Sequence, residues 1–380
     1  MISFELTDEQ KEMQSLARKF TRSEIIPVAA EFDKTGEMPW DILKKAFDIG
    51  LWNFNLPAKY GGLELDHVTE AILVEELAYG CLGISGAWDG NTLALVPIQI
   101  AGTEEQMDRW LPQFGEAPLL GSFCLTEPNA GSDASSMSTF AKKVGDEYVL
   151  TGTKCFITHG GIAAMNTVFA KTDRSQRGTR GISAFLVPGD APGLSMGKVE
   201  DKMGDRASHV AEVVFDEVRV PARDRLGAEG EGFKIAMRTL DQTRMSIGAA
   251  AVGVARRAYE EALEYSKQRV QFGRPISSNQ AIAFMLADMA TQIEAARGLV
   301  WQAAWQIDSG NPDPKLGAMA KLFAGDAAMK ITVDALQIFG GYGYMREYPM
   351  EKLMRDAKIL QIYEGTQQIQ RVVISGRILA

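Results

Sequence analysis

Apolar residues along this chain follow two different periods, and the switches between them divide it in three. Met13, Leu16, Ala17 and Phe20 recur at helical spacing behind Thr7-Asp8-Glu9-Gln10, a capping-box start. A second such start, Thr103-Glu104-Glu105-Gln106, leads to Met107, Trp110 and Leu111 before Pro112. Between them, Gly61-Gly62 and the run Gly80, Gly83, Gly86 and Gly90 mark loops or close helix approaches. From about Leu119 the period shortens. Tyr148 to Leu150, Thr167 to Phe169, Ile182 to Val187 and Val210 to Phe215 are strand-like runs separated by Gly, Asp and Pro. After Gly227 helical spacing returns: Phe233, Ala236, Met237, Leu240; then Ile247, Ala250, Ala251, Val254; then Ile282, Met285, Leu286, Met289. The pattern predicts an α+β protein with an N-terminal helical domain (1–118), a middle β-barrel or sandwich domain (119–229) and a C-terminal four-helix bundle (230–380).

At 380 residues the chain has ample material for several cores, and 46% apolar with 23% charged residues is ordinary for a globular protein. The net charge of −9 argues against a nucleic-acid or anionic-membrane partner. No run of 18 apolar residues occurs, so no membrane span is expected. Met1 to Leu6 is neither a cationic n-region nor an Arg-rich transit peptide, which makes export unexpected and a cytoplasmic location the expectation. Cys81, Cys124 and Cys155, with His67, His159 and His209, lack metal-ligand, disulfide or triad spacing; no metal site is expected.

Five stretches hold candidate chemistry. Phe123 to Asp133 runs as a strand into a turn rich in Gly, Ser and Asn, able to offer backbone N–H groups and hydroxyls to a polar ligand, or to serve as a plain connection. In Lys154 to Gly161, alternation would put Phe156 and Thr158 on one face, suited to a flat heteroaromatic group or to a half-buried sheet. Arg269-Val270-Gln271-Phe272-Gly273-Arg274 sets fixed positive charge at a helix end, for a pyrophosphate or for solvent, and Gln337 to Tyr344 ends a helix in a Gly-rich turn. Glu364 follows the apolar run Ile359, Leu360, Ile362, Tyr363. It reads as a base raised by burial, with Gly365 bending the chain, or as a solvated Glu at a helix end. No strand–GxGxxG–helix unit is present, so any dinucleotide binds outside a Rossmann fold.

Together, Thr126-Glu127-Pro128-Asn129-Ala130-Gly131-Ser132-Asp133, the Gly340-Gly341 turn and Ile362-Tyr363-Glu364-Gly365-Thr366 resemble the acyl-CoA dehydrogenase family over nearly the full chain, closest to its short- and medium-chain members. The resemblance implies FAD bound between the β domain and the C-terminal helices. By position, Phe123, Leu125, Thr126, Gly131 and Ser132 match the flavin loop, with Ser132 also at the start of the acyl-CoA site. Phe156 and Thr158 match the aromatic and hydroxyl at the isoalloxazine, where many members have Trp for Phe156. Arg269, Phe272, Gln337 and Gly341 match groups that hold the pyrophosphate and adenosine from a neighbouring subunit, and Thr366 and Gln368 also match cofactor positions. Gln271 stands where some members carry Thr.

The same resemblance makes Glu364 the catalytic base, taking the Cα proton of the thioester while flavin N5 receives the Cβ hydride. Some relatives place the base at the position of Thr243, which cannot abstract a proton. Trp88, Asp89, Leu93 and Tyr363 match the acyl pocket, and Asp241, Arg244 and Gly365 the substrate site. An ion pair of Arg244 with Asp241 is the alternative for that arginine. Glutaryl-type relatives hold a distal carboxylate with an Arg in the stretch that matches Cys81 to Asp108; no Arg or Lys lies there, so the resemblance disfavours that specialisation and implies short to medium straight chains. Implied partners are acyl-CoA, electron-transferring flavoprotein and further copies in a homotetramer, and the implied setting is fatty acid β-oxidation. An acyl-CoA oxidase using O₂ and a catalytically silent acyl-CoA-binding scaffold are the alternatives.

Overall fold

The computed structural model describes residues 5–176 and 178–379. Its first segment is helical: α1 (Asp8–Phe20), α2 (Ala29–Thr35), α3 (Trp40–Asp48), α4 (His67–Gly80), α5 (Leu82–Ala101), α6 (Glu104–Trp110) and α7 (Pro112–Glu116). Both capping boxes form, Thr7 with Gln10 before α1 and Thr103 with Gln106 before α6. Helices α4 and α5 are buried on most sides, which is why their sequences lack a polar stripe. Of the two readings of the glycine run, close approach prevails in α5. A Cβ at Gly83 would lie 2.9 Å from the Ala207 nitrogen, and one at Gly90 2.7 Å from His159 and 2.9 Å from Thr158.

The middle segment holds β1 (Gly121–Cys124), β2 (Phe140–Val144), β3 (Glu147–Thr158), β4 (Met165–Lys171), β5 (Ile182–Pro188), β6 (Leu194–Val199), β7 (Val210–Pro221) and β8 (Arg225–Leu226). They form one mixed sheet in the order β6-β7-β3-β2-β4-β5-β8, with β1 parallel to β4. Strand β4 is buried along nearly its whole length because both faces are covered. Val168 and Ala170 belong to a core made almost wholly of strand residues, while Met165 and Phe169 pack with Leu95, Ile98 and Trp110 of the helical segment.

The last segment contains α8 (Gly232–Gln268), a hairpin of β9 (Val270–Gln271) and β10 (Arg274–Pro275), then α9 (Gln280–Asp308), α10 (Pro314–Phe339), α11 (Met350–Ile359) and α12 (Gln367–Ile378). Two of the periodic runs seen in the sequence, 233–240 and 247–254, belong to the single 37-residue α8. Helices α8, α9 and α10 pack on one another, α11 and α12 pack on α10, and α4 lies along α8. Small residues bring the helices close: a Cβ at Gly253 would meet the Glu75 carbonyl oxygen at 2.4 Å. The α1–α4–α8–α9 junction is tied by Arg256 to Glu75 and Glu76, Arg297 to Glu75 and Arg18 to Glu76. Among the described residues no helix is long and apolar enough to cross a membrane.

Candidate active site

The turn between α11 and α12 carries two consecutive residues in the left-handed region, Glu364 (φ +50°) and Gly365 (φ +92°). For a glutamate that conformation is uncommon and persists only when neighbours over-determine it. Here they do. Gln370 Nε2 donates to the carbonyls of Glu364 (3.1 Å) and Gly365 (2.8 Å), and Lys321 Nζ, on α10, donates to Gly365 at 2.8 Å. Thr366 then caps α12 by accepting from the Ile369 amide. The Glu364 side chain reaches α8, where Thr243 Oγ1 donates to Glu364 Oε2 at 2.8 Å.

Glu364 is only half-buried by surface area, so it lies in a recess open enough for a ligand to reach. Burial is the main force raising its carboxyl, to about 7, and the charge of Asp89 adds to it; the Thr243 hydrogen bond, Arg244 and Lys321 oppose. A carboxylate poised there is matched to proton abstraction near neutral pH. Lys321 is fully buried, and desolvation lowers it to about 8 against the pull of Glu364.

Asp89, on α5, is the second carboxyl of the recess. Ser246 Oγ donates to its Oδ1 at 2.6 Å, and burial raises it to about 6. Its neighbour Gly90 lies against Thr158, so α5 connects the recess to the end of β3. Of the other expected pocket residues, Leu93 and Tyr363 are half-buried. Trp88 is a core residue: its indole N–H donates to the Leu51 carbonyl at 2.6 Å and its ring meets Trp52 edge-on. Arg244 is almost fully buried and pairs with Asp241 at 2.5 Å, while its Nε has no acceptor among the described residues.

On the sheet side, simple alternation along β3 fails. The register against β7 shifts between Lys154 and Ile157, so Lys154 and Cys155 are buried in succession. Phe156 takes φ +56° and is 65% exposed. Extra-residue irregularities of this kind re-aim side chains. Lys154 Nζ donates to the Leu125 carbonyl (3.0 Å) and to Glu127 Oε1 (2.8 Å), and Glu127 also accepts from the Thr139 amide. Burial raises Glu127, but Lys154 and these hydrogen bonds outweigh it and hold the carboxyl at about 2. The Cys155 amide donates to the Thr126 carbonyl, joining the two motifs side by side. A Glu127–Ala130 bridge then turns the loop so that Gly131 and Ser132 are exposed. Phe123 tilts against Phe169, and Leu125 is buried.

The third group lies elsewhere. Arg269, Gln271 and Gly341 line a cavity of about 560 Å³ with Tyr265, Phe339 and Tyr342. Gln337 is exposed at the end of α10, and Phe272 is fully exposed at the hairpin tip with φ +53°. Thr243 and Arg269 are separated by most of α8, roughly 39 Å at 1.5 Å per residue. Gln368 is exposed on α12, beside the Thr366 cap.

Lys321, Gln370 and the Thr243 hydroxyl are not singled out by motif, and the pairing of Lys154 with Glu127 joins two motifs that the sequence shows only separately. Lys321 carries one signal, as a lone charge between Ala318, Ala320 and Ala324 on an otherwise apolar stretch of α10.

Comparison with known proteins covers the whole architecture. Family models described as the acyl-CoA dehydrogenase N-terminal, middle and C-terminal domains match residues 7–117, 122–218 and 230–379. Cyclohexane-1-carbonyl-CoA dehydrogenase of Geobacter metallireducens is 45% identical over 99% of both chains. Butyryl-CoA dehydrogenase from Megasphaera elsdenii superimposes with a TM-score of 0.97 at 45% identity, covering 100% of both chains. A chain solved in a study of the electron transferring flavoprotein of Acidaminococcus fermentans matches equally well, at 0.97 and 46% over 100% of both.

Proposed function

The chain belongs to the acyl-CoA dehydrogenase family, and on that premise we propose that Glu364 is the base that removes the Cα proton of a short- to medium-chain acyl-CoA. Membership makes it an FAD-dependent oxidoreductase of acyl-CoA thioesters. Bound FAD supplies the acceptor for the hydrogen and electron pair that leave Cβ.

The residues present suit that cofactor. Phe156 offers an exposed ring, Thr158 a half-buried hydroxyl two residues on, and Phe123, Leu125, Thr126, Gly131 and Ser132 the adjoining loop. A Cβ at Gly131 would meet nothing within 4 Å, leaving room for close approach to its backbone. Arg269, Phe272, Gln337 and Gly341 would hold the pyrophosphate and adenosine, but of a neighbouring copy's cofactor. Arg269 lies roughly 39 Å along α8 from Thr243, the anchor of Glu364, and this separation supports an assembly of copies, read as a homotetramer. Thr366 and Gln368 lie at the start of α12, next to Glu364.

The observation that carries the reading is the geometry of Glu364. Its carboxyl is raised toward neutral, anchored by Thr243, and placed on a backbone pinned by Gln370 and Lys321. Its own N–H donates to nothing among the described residues and so is free for the thioester oxygen. A preorganised donor to the developing enolate is typically worth about 3–4 kcal/mol. Leu93, Tyr363, Asp89 and the buried Trp88 form the acyl wall in this reading, with Ser132, Asp241, Arg244 and Gly365 around the thioester and CoA.

Electron-transferring flavoprotein as the acceptor, β-oxidation as the setting and a bacterial cytoplasm as the location belong to the same reading. The structural neighbour from the electron transferring flavoprotein study supports the first. The test is direct. The purified protein should be yellow and should bleach anaerobically with members of a C4–C16 acyl-CoA series. A colourless protein would favour a silent scaffold, and stoichiometric H₂O₂ in aerobic turnover would favour an oxidase.

A further inference from the structure

Thr243 and Ser246 lie three residues apart on α8, and each donates to a different carboxylate: Thr243 to Glu364 from the α11–α12 turn, Ser246 to Asp89 from α5. Side chains at that spacing share one helix face with Cβ atoms roughly 5–6 Å apart. Helix α8 thus displays two hydroxyls, one turn apart, each holding a carboxyl group, and the charge of Asp89 reaches Glu364.

The charges around the pair are unevenly matched. Glu364 faces Arg244 on α8, Lys321 on α10 and Asp89 on α5. Arg244 is already paired with Asp241, and Lys321 donates to the Gly365 carbonyl. Asp89 has no cation partner among the described residues, and Ser246 is its one hydrogen-bond donor there. The other acids that feel Asp89, namely Glu70 on α4, Asp205 in the loop before β7 and the Tyr363 phenol, are all raised by burial and carry no compensating positive charge to it.

Resting on the assignment of Glu364 as base, we propose that Asp89 is a positioning residue for the proton transfer, a second carboxylate whose charge sets the readiness of Glu364 to accept the proton. Two carboxylates in one desolvated recess resist simultaneous ionisation and titrate as a pair. With Asp89 charged, Glu364 holds a proton more tightly and is the stronger base. Without that charge Glu364 ionises at lower pH and pulls less strongly on a weakly acidic C–H.

The experiment compares Asp89→Asn, close in shape but uncharged, with Asp89→Glu, which restores the charge. Two quantities are read on the FAD-loaded enzyme: the acid limb of kcat/KM, and the pH titration of the Glu364 carboxyl infrared band, located by difference against Glu364→Gln. The expected result for Asp89→Asn is a shift of both toward lower pH by about one unit, with a several-fold loss of plateau rate. Asp89→Glu should return both toward wild type. The proposal is overturned if Asp89→Asn leaves both titrations in place, or if the two variants shift them alike, since shape rather than charge would then be responsible. Should Asp89→Asn fail to hold flavin, Asp89→Ser is read by the same criteria. Failure of the base assignment is separate: it is seen as continued flavin reduction in Glu364→Gln, whatever Asp89 variants do.

Discussion

The Thr243 hydroxyl donates to Glu364 Oε2 at 2.8 Å, across 121 residues of sequence. This bond holds down the carboxyl that burial pushes up, so Thr243 is a working part of the site rather than an empty alternative position. Thr243→Ala removes the opposing bond, and the Glu364 pKa should climb above about 7. The base is active only when ionised, so the acid limb of kcat/KM should move to higher pH, and activity should fall most below neutrality. A pH–rate profile unchanged from wild type would mean the hydroxyl does not engage the base.

Lys321→Met should loosen the bent backbone. The substitution keeps the length of a fully buried side chain but removes the donor to the Gly365 carbonyl. The Gly365 carbonyl keeps its bond from Gln370, so the loss is one hydrogen bond from a charged donor, about 1.5–3 kcal/mol, and loss of the nearby cation raises Glu364 further. Denaturant melts should register the loss, and the acid limb should move up as it does for Thr243→Ala.

Lys154→Met should release the Leu125–Ser132 loop that is proposed to hold the flavin. Lys154 and Glu127 form a buried pair that fastens Leu125 and Thr139 as well. Breaking such a pair by removing one partner costs about 3–5 kcal/mol. Purified Lys154→Met protein should carry less FAD per chain, measured by the ratio of visible to ultraviolet absorbance, with a lower melting temperature. Full flavin occupancy would show the pair to be incidental to cofactor binding.

Phe272→Asp tests the assembly. The side chain is fully exposed at the β9–β10 tip, so the single chain should fold without penalty. Light scattering should show a smaller particle than wild type, accompanied by loss of FAD. An unchanged particle mass with full FAD content would contradict the sharing of cofactor sites between copies.

The helical segments and their capping boxes were legible because each rests on local spacing, and the signature around Glu364 lay in adjacent residues. What escaped depended on partners far away in sequence. The spacing of Phe156 and Thr158 suggests strict alternation, yet it could not announce the register shift at Lys154–Ile157, which the pairing with β7 determines. Threonine at 243 reads as the absence of a base until Glu364 is folded onto it. Lys321 resembles any helical lysine until Gly365 is placed against it. The distance between Thr243 and Arg269 likewise follows from the length of one helix, which the sequence pattern presents as separate runs.

The central assignment rests on Glu364, and anaerobic mixing of FAD-loaded Glu364→Gln with a good acyl-CoA substrate tests it most directly. The variant should bind substrate and keep its flavin, while the rate of flavin bleaching falls by about 10²–10⁴-fold, the range a positioned base contributes. Bleaching at the wild-type rate would contradict the account.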